Sequence, residues 1–409
     1  MTDASPRPSA RRSIDDVPVA GQRVLVRVDF NVPLNGDRIT DDRRIRQALP
    51  TIRSIVDRGG RAILMSHLGR PGGQGPEDGL GLGPVAARLG DLLGDRAVRF
   101  VPGMPDAPEA AEAAGQLADG EVLVLDNLRF AAGEKKGDAA FAERLAAMAD
   151  VYCNDAFGTA HRGDASMVAV ARAMADRPRA VGHLMARELE YLAGAIDRGE
   201  RPFVGVLGGA KISDKFKAIH ALSERVDTIL IGGAMSYTLM QARGETTGTS
   251  LIEADIIPAA REMLEAVAAR GATILLPQDH VCAAEFKAGA ETTTIEGGIP
   301  DGLMGLDIGP RTAATYADVI RGARTVIWNG PMGVFEMPPY DAGTNAVAQA
   351  MVEATGTGAT TVIGGGDSAA AIEAAGLADR VSHVSTGGGA SLAMLEGAAF
   401  PSLAEIEPA

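Results

Sequence analysis

The chain has 409 residues, 46% of them hydrophobic, so it can bury a large core. Its length exceeds the size at which a single core usually suffices, so two domains are expected. The net charge of −14 argues against general nucleic-acid binding, and no apolar run approaches the length of about 18 residues that a membrane span needs. Two isolated cysteines, Cys153 and Cys282, and the lack of a signal-peptide pattern predict a cytoplasmic protein without disulfides.

Short runs rich in Val, Ile and Leu recur along the chain and alternate with Ala-, Leu-, Glu- and Arg-rich segments of helical spacing. This alternation is typical of βαβ units with a parallel sheet that is buried on both faces. The runs lie at residues 23–28, 61–66, 122–126, 151–155, 204–209, 228–233, 273–277, 325–330, 360–365 and 381–388. The sequence therefore predicts the α/β class.

The residues that follow these runs differ between the two halves of the chain, and open parallel sheets bind ligands at the carboxyl ends of their strands. In the first half these ends carry Asp29, Asn31, His67, Arg70, Asn127, Arg129, Asn154, His161 and Arg162. In the second half they carry glycine pairs and triplets together with Lys211, Lys215 and Asp367. Arginine forks suit phosphate and carboxylate groups, whereas glycine turns with lysines suit a polyphosphate.

The stretch "TTVIGGGDSAAAIEAAG", residues 360–376, reads as a strand, a glycine turn and a helix. Such a turn leaves free backbone N–H groups and the positive end of the helix dipole directed at one place, where an anion can bind. An ordinary tight turn explains one glycine cluster equally well. The next strand, however, also ends in a triplet, residues 387–389, and two neighbouring triplets suit two neighbouring phosphates.

Several enzyme classes are disfavoured by missing motifs. The chain contains no Walker A pattern, no HExxH and no GxSxG, and its six histidines are scattered. Residues 81–86 and 364–369 fit GxGxxA, but the first does not follow a strand and the second lacks the later acidic residue, which weakens an NAD-dependent dehydrogenase. Phosphoryl transfer remains, and the residues alone predict a two-domain kinase for a small anionic metabolite.

Nine segments in fixed order make the sequence resemble the phosphoglycerate kinases from about residue 21 to about residue 397. They are "RVDFNVPL", "RRIRQALPTI", "MSHLGRP", "DNLRFAAGEKK", "NDAFGTAHR", "LGGAKISDK", "WNGPMGVFE", "IGGGDSAA" and "HVSTGGGAS". The resemblance implies two Rossmann-like three-layer αβα domains with mainly parallel sheets, joined by a connecting helix across a cleft, in a monomer. It also implies reversible phosphoryl transfer between 1,3-bisphosphoglycerate with ADP and 3-phosphoglycerate with ATP, with Mg²⁺ and with domain closure.

The resemblance also assigns site residues. For the phosphoglycerate it implies Asp29, Asn31, Arg44, His67, Arg70, Arg129 and Arg162. For the nucleotide it implies Gly209, Lys211, Lys215, Gly233, Asn329, Pro331, Glu336, Gly364, Gly365, Gly366, Asp367 and Ser368, with Asp367 also at Mg²⁺. For the transferred group it implies Arg44, Lys211, Gly365 and Gly388, and for the hinge Glu188 and His383.

Simpler interpretations stand beside these assignments. Asp29 and Asn31 can be turn caps, Glu188 a surface glutamate and His383 a satisfied strand histidine, while Trp328 is predicted to be a core residue. A catalytically silent phosphate-binding protein on the same fold is the alternative function. Such a protein is expected to lose chemistry-bearing residues, yet Arg44, Lys211 and Asp367 are all present.

The expected domains are residues 1–180 for the phosphoglycerate, 181–200 as connecting helix, 201–390 for the nucleotide, and 391–409 as a tail that returns to the first domain. Asp126, Asp164 and Ala234 depart from the usual family pattern. The atypical tail sequence leaves its packing open. About the first 15 residues match nothing in the family, and we predict them to be disordered.

Overall fold

The structure, a computed structural model, describes residues 11–409. It divides into two compact units, one formed by the described residues up to Glu190 with Ala399–Ala409, the other by Tyr191–Ala398. The division falls within the predicted connecting helix. The predicted domain limits themselves stay a prediction.

The first unit is built around a six-stranded parallel sheet with the strand order β5-β6-β4-β1-β7-β8. Strands β2 and β3 form a separate hairpin. In chain order its elements are β1 Arg23–Val28, β2 Leu34–Asn35, β3 Arg38–Ile39, α1 Arg43–Asp57, β4 Arg61–Met65, α2 Gly83–Leu93, β5 Val98–Val101, α3 Pro108–Gly115, β6 Val122–Leu125, α4 Ala132–Lys136, α5 Ala139–Ala146, β7 Val151–Asp155, α6 Ala169–Ala173, β8 Arg179–Val181 and α7 His183–Glu188.

The second unit holds another six-stranded parallel sheet, with the order β11-β10-β9-β15-β16-β17, and a three-stranded antiparallel sheet, β13-β12-β14. Its elements are α8 Gly194–Arg198, β9 Phe203–Leu207, α9 Phe216–Leu222, β10 Thr228–Ile231, α10 Met235–Ala242, α11 Ile257–Ala269, β11 Thr273–Leu275, β12 Asp279–Ala283, β13 Thr293–Glu296, β14 Met304–Ile308, α12 Pro310–Arg321, β15 Thr325–Asn329, α13 Ala342–Gly356, β16 Thr360–Gly364, α14 Gly366–Ala374, β17 His383–Val384 and α15 Gly388–Leu395. A last helix, α16 Pro401–Ala404, belongs to the first unit.

The predicted α/β class with two parallel sheets is confirmed, and each of the ten predicted runs overlaps a strand of these sheets. Within the two six-stranded sheets, the strands that were not predicted are β5 and β8, which are the two edges of the first sheet. An edge strand lacks a neighbour on one side and needs no continuous apolar run, and β5 keeps Arg99 exposed. The small antiparallel sheet was also not predicted.

Both ends of the described chain are anchored in the first unit. The prediction of disorder for about the first 15 residues is wrong for residues 11–15, because Ile14 is fully buried and Arg11 bridges to Pro408. Residues 1–10 lie outside the described residues. In the tail, Leu403 and Ile406 are buried, and the ring of Phe400 stacks on Phe157 with a centroid separation of 5.9 Å.

The segment predicted to connect the two domains is anchored to a buried carboxyl group. Asp155 ends β7, and its Oδ1 accepts a hydrogen bond from the backbone N–H of Met185 in the first turn of α7. Beyond α7 the chain forms a π-helical turn, Leu189–Ala193, before α8. Asp155 is buried, and desolvation raises its pKa from 3.8 to about 6, although Thr51 and two helix N–H groups oppose the shift.

We expect the substitution Phe400→Ala to destabilise the first unit by about 3 kcal/mol, because it removes a buried aromatic ring and leaves a cavity beside Phe157. Chemical denaturation followed by circular dichroism measures this loss. Phe286→Ala is the matched control, since Phe286 is 60% exposed and its truncation should change stability by less than about 0.5 kcal/mol. Equal effects of the two substitutions would show that the tail does not stabilise the unit.

We expect Asp155→Asn to change how stability depends on pH. Because the folded protein holds the Asp155 proton more tightly than the unfolded chain, stability is lost as the pH rises from 3.8 to about 6. Relative to the parent, the Asn variant should gain about 2–3 kcal/mol between pH 4 and pH 7. Unfolding at a series of pH values tests this, with the exposed Asp176→Asn as control. Parallel pH profiles of parent and Asn variant would contradict it.

Candidate functional site

In the first unit, the predicted residues lie at the carboxyl ends of neighbouring strands. Asp29 and Asn31 follow β1, His67 follows β4, Arg129 follows β6 and Arg162 follows β7. The sheet order places β6, β4, β1 and β7 side by side. Parallel pairing therefore gathers onto one edge of the sheet polar groups that lie more than 100 residues apart in the chain.

Arg44 joins this edge from the start of α1. Its NH1 lies 2.8 Å from Oδ2 of Asp29, in a partly exposed ion pair. The first turn of α1 also contains Arg43 and Arg46, which neighbouring aspartates contact. A helix N-terminus disfavours cations, so helix stability does not account for three arginines at this position. Aspartates contact all three arginines, and Arg44 reaches the strand-end edge through its ion pair with Asp29.

His67 is the centre of the cluster. Its side chain is only 3% exposed, and burial followed by the fields of Arg27, Arg129, Arg162 and Arg44 holds its pKa well below the usual value. An imidazole next to four guanidinium groups stays neutral at physiological pH. The cluster is therefore cationic through its arginines, and His67 adds a neutral hydrogen-bonding group to it.

The backbone of the turn after β4 is tied to the other strand ends by hydrogen bonds to their side chains. The N–H of Gly69 donates to Oδ1 of Asn31 at 2.9 Å, and NH1 of Arg129 donates to the carbonyl of Gly69 at 2.7 Å. Asn31 thus caps a turn, as the simpler interpretation expected, and still lies beside the arginines. The adjacent Arg70 is exposed on the same turn.

Three residues behind this edge were not predicted. Arg27 is fully buried within the apolar β1, and it contacts Ser166, which in turn contacts the fully buried Glu134. The signal in the sequence was an arginine in the run "VLVRV", because strands buried on both faces rarely carry charge. Burial and the field of Arg162 lower the pKa of Arg129. Asp164, which departs from the usual family pattern, is buried and opposes that shift.

In the second unit, glycines let three strand ends approach one another closely. Gly233 has a φ of +69°, and a Cβ there would lie 2.5 Å from the carbonyl oxygen of Gly209. A Cβ on Gly208 would meet the carbonyl of Pro331. Side chains at these positions are excluded by the backbone itself, so the predicted Gly209, Gly233 and Pro331 line one tightly packed surface.

Two helix N-termini lie next to each other on this unit. A Cβ on Gly388, at the start of α15, would be 3.0 Å from the amide nitrogen of Gly366, at the start of α14. Gly365, with φ +89°, caps α14 and leaves its first N–H groups free of helical partners. Both helices have eight or more residues, and their neighbouring N-termini form a surface suited to phosphate oxygens.

The side chains around these helix starts carry both signs of charge. Nζ of Lys215 donates to Oδ1 of Asn329, and burial lowers the pKa of Lys215 against the opposing fields of Asp214, Asp367 and Glu396. Oγ of Ser368 accepts a hydrogen bond from the N–H of Gly330 at 2.6 Å. Ser368 therefore supports the turn through Gly330.

The remaining predicted residues of the second unit differ in exposure. Lys211, Glu336 and Asp367 are exposed. Trp328 is fully buried in the core and donates from Nε1 to the carbonyl of Gly330 at 2.7 Å, which confirms the prediction of a core role. Ala234, where the family usually has glycine, caps α10 with an ordinary helical φ.

The two predicted hinge residues lie in different units, Glu188 in the first and His383 in the second. Glu188, at the end of α7, is fully buried, so the interpretation as a surface glutamate is wrong. His383 is 7% exposed, and its ring stacks on Tyr191 with a centroid separation of 5.3 Å.

Within residues 11–409, no cluster of three or more His, Cys, Asp or Glu side chains could hold a metal ion by itself. A magnesium ion commonly uses only one or two carboxylates, with substrate phosphates and water completing its shell. The exposed carboxylate of Asp367, in the first turn of α14, fits that role. Over the same described range, the structure contains no helix that is both long and apolar enough to cross a membrane.

The comparisons with known proteins agree with this geometry. The family model described as phosphoglycerate kinase matches residues 14–398. The phosphoglycerate kinase of Rhodopirellula baltica is 56% identical over 405 residues, which cover 98% of this chain and 100% of that protein. That of Moorella thermoacetica is 50% identical over 400 residues, which cover 97% and 99%.

Solved structures give the same result. The phosphoglycerate kinase from Coxiella burnetii has a TM-score of 0.87 and 34% identity, covering 97% of this chain and 98% of that one. The enzyme from Pyrococcus horikoshii OT3 has a TM-score of 0.81 and 31% identity, covering 96% and 98%. With relatives at this identity over nearly the whole length, the chain belongs to the phosphoglycerate kinase family, phosphotransferases that use a carboxyl group as acceptor.

Proposed function

We propose that this chain transfers a phosphoryl group reversibly between 1,3-bisphosphoglycerate with ADP and 3-phosphoglycerate with ATP, through the residues predicted from its sequence. The observation that carries the proposal is the arginine cluster of the first unit. Arg44, Arg129 and Arg162 act together on one buried histidine, at an edge where the sheet order brings four strand ends together.

The cluster supplies the charge that the three-carbon acid needs. 3-Phosphoglycerate carries a phosphate and a carboxylate, and guanidinium groups bind both through paired hydrogen bonds. Arg44, Arg70, Arg129 and Arg162 would bind these anionic groups, while His67 adds a neutral contact. Asp29 and Asn31 offer side-chain oxygens to the substrate hydroxyl.

The nucleotide would bind the second unit. Gly209, Gly233, Asn329 and Pro331 line the closely packed strand ends, and Glu336 would accept the ribose hydroxyls. The turn from β16 into α14 would contribute Gly364, Gly365, Gly366 and Ser368. Ser368 accepts from the N–H of Gly330, and Lys215 donates to Asn329. Asp367 would hold Mg²⁺, which neutralises charge on the nucleotide phosphates when bound.

Transfer itself needs positioning and charge stabilisation more than proton chemistry. The attacking group is an ionised oxygen of the carboxylate or of the nucleotide phosphate, so no general base is required. Arg44 and Lys211 would stabilise the transferred group, together with the backbone N–H groups at Gly365 and Gly388. A hinge-bending step at Glu188 and His383 would exclude water from the acyl phosphate.

The cellular setting is also proposed. We infer a cytoplasmic monomer that works on small molecules, from its free cysteines and from the small substrates of the proposed reaction. Nucleic acid is not an expected partner of a chain with a net charge of −14.

The assay that tests this function measures phosphorylation of 3-phosphoglycerate by MgATP, with the acyl phosphate reduced by a coupling enzyme. Turnover that depends on both substrates supports the proposal. A folded sample that binds nucleotide without any turnover would instead favour the catalytically silent alternative.

We expect Lys211→Ala to lower kcat by about 10²–10³-fold, because it removes a positive charge that acts on the transferred group. The control Lys217→Ala removes an equally exposed lysine from α9, six residues further along the chain. Steady-state kinetics of both variants measure the difference. If the two variants have the same kcat, Lys211 has no role in the transfer.

We expect Asp367→Asn to raise the Mg²⁺ concentration needed for half-maximal activity by about tenfold, since the neutral amide is a poorer ligand for a hard cation. A magnesium titration at fixed ATP measures this shift. The exposed Asp379→Asn, close by after α14, should titrate like the parent. An unshifted Asp367→Asn curve would place the magnesium ligand elsewhere.

A further inference from the structure

One buried carboxylate lies behind the arginine cluster and has no role in the function proposed above. Glu134, in α4, is fully buried, and both of its carboxylate oxygens accept hydrogen bonds from Ser166. The N–H of Ser166 donates to Oε2 at 2.9 Å, and Oγ lies 2.6 Å from Oε1. A charge at this depth normally destabilises the fold unless hydrogen bonds or an opposite charge compensate it.

The donor and acceptor roles of the Ser166 hydroxyl follow from its contact with Arg27. Nε of Arg27 lies 2.8 Å from Oγ of Ser166, and a guanidinium group can only donate. The hydroxyl therefore accepts from Arg27 and gives its own hydrogen to Glu134. Glu134 therefore accepts at both carboxylate oxygens. Burial raises the pKa of Glu134, and Arg27 and Ser166 oppose that shift.

The same argument determines which ring nitrogen of His67 carries the proton. NH2 of Arg27 lies 3.2 Å from Nδ1 of His67, so Nδ1 must accept and the ring proton must be on Nε2. Asp29 cannot compete for this nitrogen, because its Oδ1 is 4.0 Å away, beyond hydrogen-bond length. Burial and the fields of Arg129, Arg162 and Arg44 also lower the pKa of the ring and keep it neutral.

Glu134 also ties down the loop that carries Arg162. Its backbone carbonyl accepts from the N–H of Ala165 at 2.7 Å, three residues after Arg162. The carbonyl of Ser166 accepts from the hydroxyl of Tyr152 in β7 at 2.9 Å. The loop is therefore held at two consecutive residues by α4 and at one by the sheet.

We propose that Glu134 is a positioning residue of the anion site, which acts through Ser166 and Arg27 to hold His67 as the Nε2–H tautomer and to fix the Arg162 loop. This inference rests on the proposed function, because the ligand it serves is 3-phosphoglycerate. Glu134 touches no substrate in this arrangement. Its effect should therefore appear in binding of the acid and not in binding of the nucleotide, which belongs to the other unit.

The test compares Glu134→Gln and Ser166→Ala with the parent and with Glu143→Gln, an exposed glutamate on α5. The Gln amide keeps the shape of Glu134 but cannot accept at both positions, and Ser166→Ala removes only the hydroxyl of the chain. Calorimetry would measure the Kd for 3-phosphoglycerate and for MgATP. Nitrogen-15 NMR of the imidazoles would report the tautomer of His67.

We expect both variants to bind 3-phosphoglycerate about tenfold more weakly, with an unchanged Kd for MgATP, and to lose the single Nε2–H tautomer at His67. Glu143→Gln should match the parent in all three measurements. An unchanged Kd for the acid with an unchanged tautomer, in whichever of the two variants folds, overturns the inference. If the parent itself neither binds 3-phosphoglycerate nor phosphorylates it, the proposed function fails instead.

Discussion

The first unit depends on how it holds several guanidinium groups close together. Arg27, Arg44, Arg129 and Arg162 all act on His67, and like charges at this density repel one another. Part of the repulsion is offset at the surface, where Asp29 pairs with Arg44. Hydrogen-bond acceptors in the protein offset a further part of the repulsion. Arg27 donates to Ser166, whose hydroxyl donates to Glu134, and Arg129 donates to the carbonyl of Gly69.

This arrangement lets one edge of a sheet stay strongly cationic in a protein of net charge −14. Positive charge that is already gathered and oriented attracts an anion without a large rearrangement on binding. The neutral His67 completes the set, because a protonated imidazole would add repulsion without adding a needed charge. The geometry and charge of the cluster are therefore suited to the anion proposed to bind there.

The nucleotide site proposed in the second unit depends mainly on the backbone. Close contact between the strand ends at Gly208, Gly233 and Pro331 leaves no room for a Cβ, and the starts of α14 and α15 lie side by side. Backbone N–H groups supply directed partial charge without side chains that must be ordered on binding. Lys215, which is partly buried there, donates a hydrogen bond to Asn329, and the negative charges of Asp214, Asp367 and Glu396 act on it.

The sequence by itself determined the class of the fold, the central strands and the types of group at their ends, because strands buried on both faces need unbroken apolar runs and anion sites need arginine or glycine. The edge strands β5 and β8 could not be predicted, since an edge needs no such run. Only the tertiary structure decided that Arg27, Glu134 and Ser166 meet: they lie more than 100 residues apart from first to last, and strand order joins them. It also decided that Glu188 is buried, because exposure depends on packing that no local pattern records.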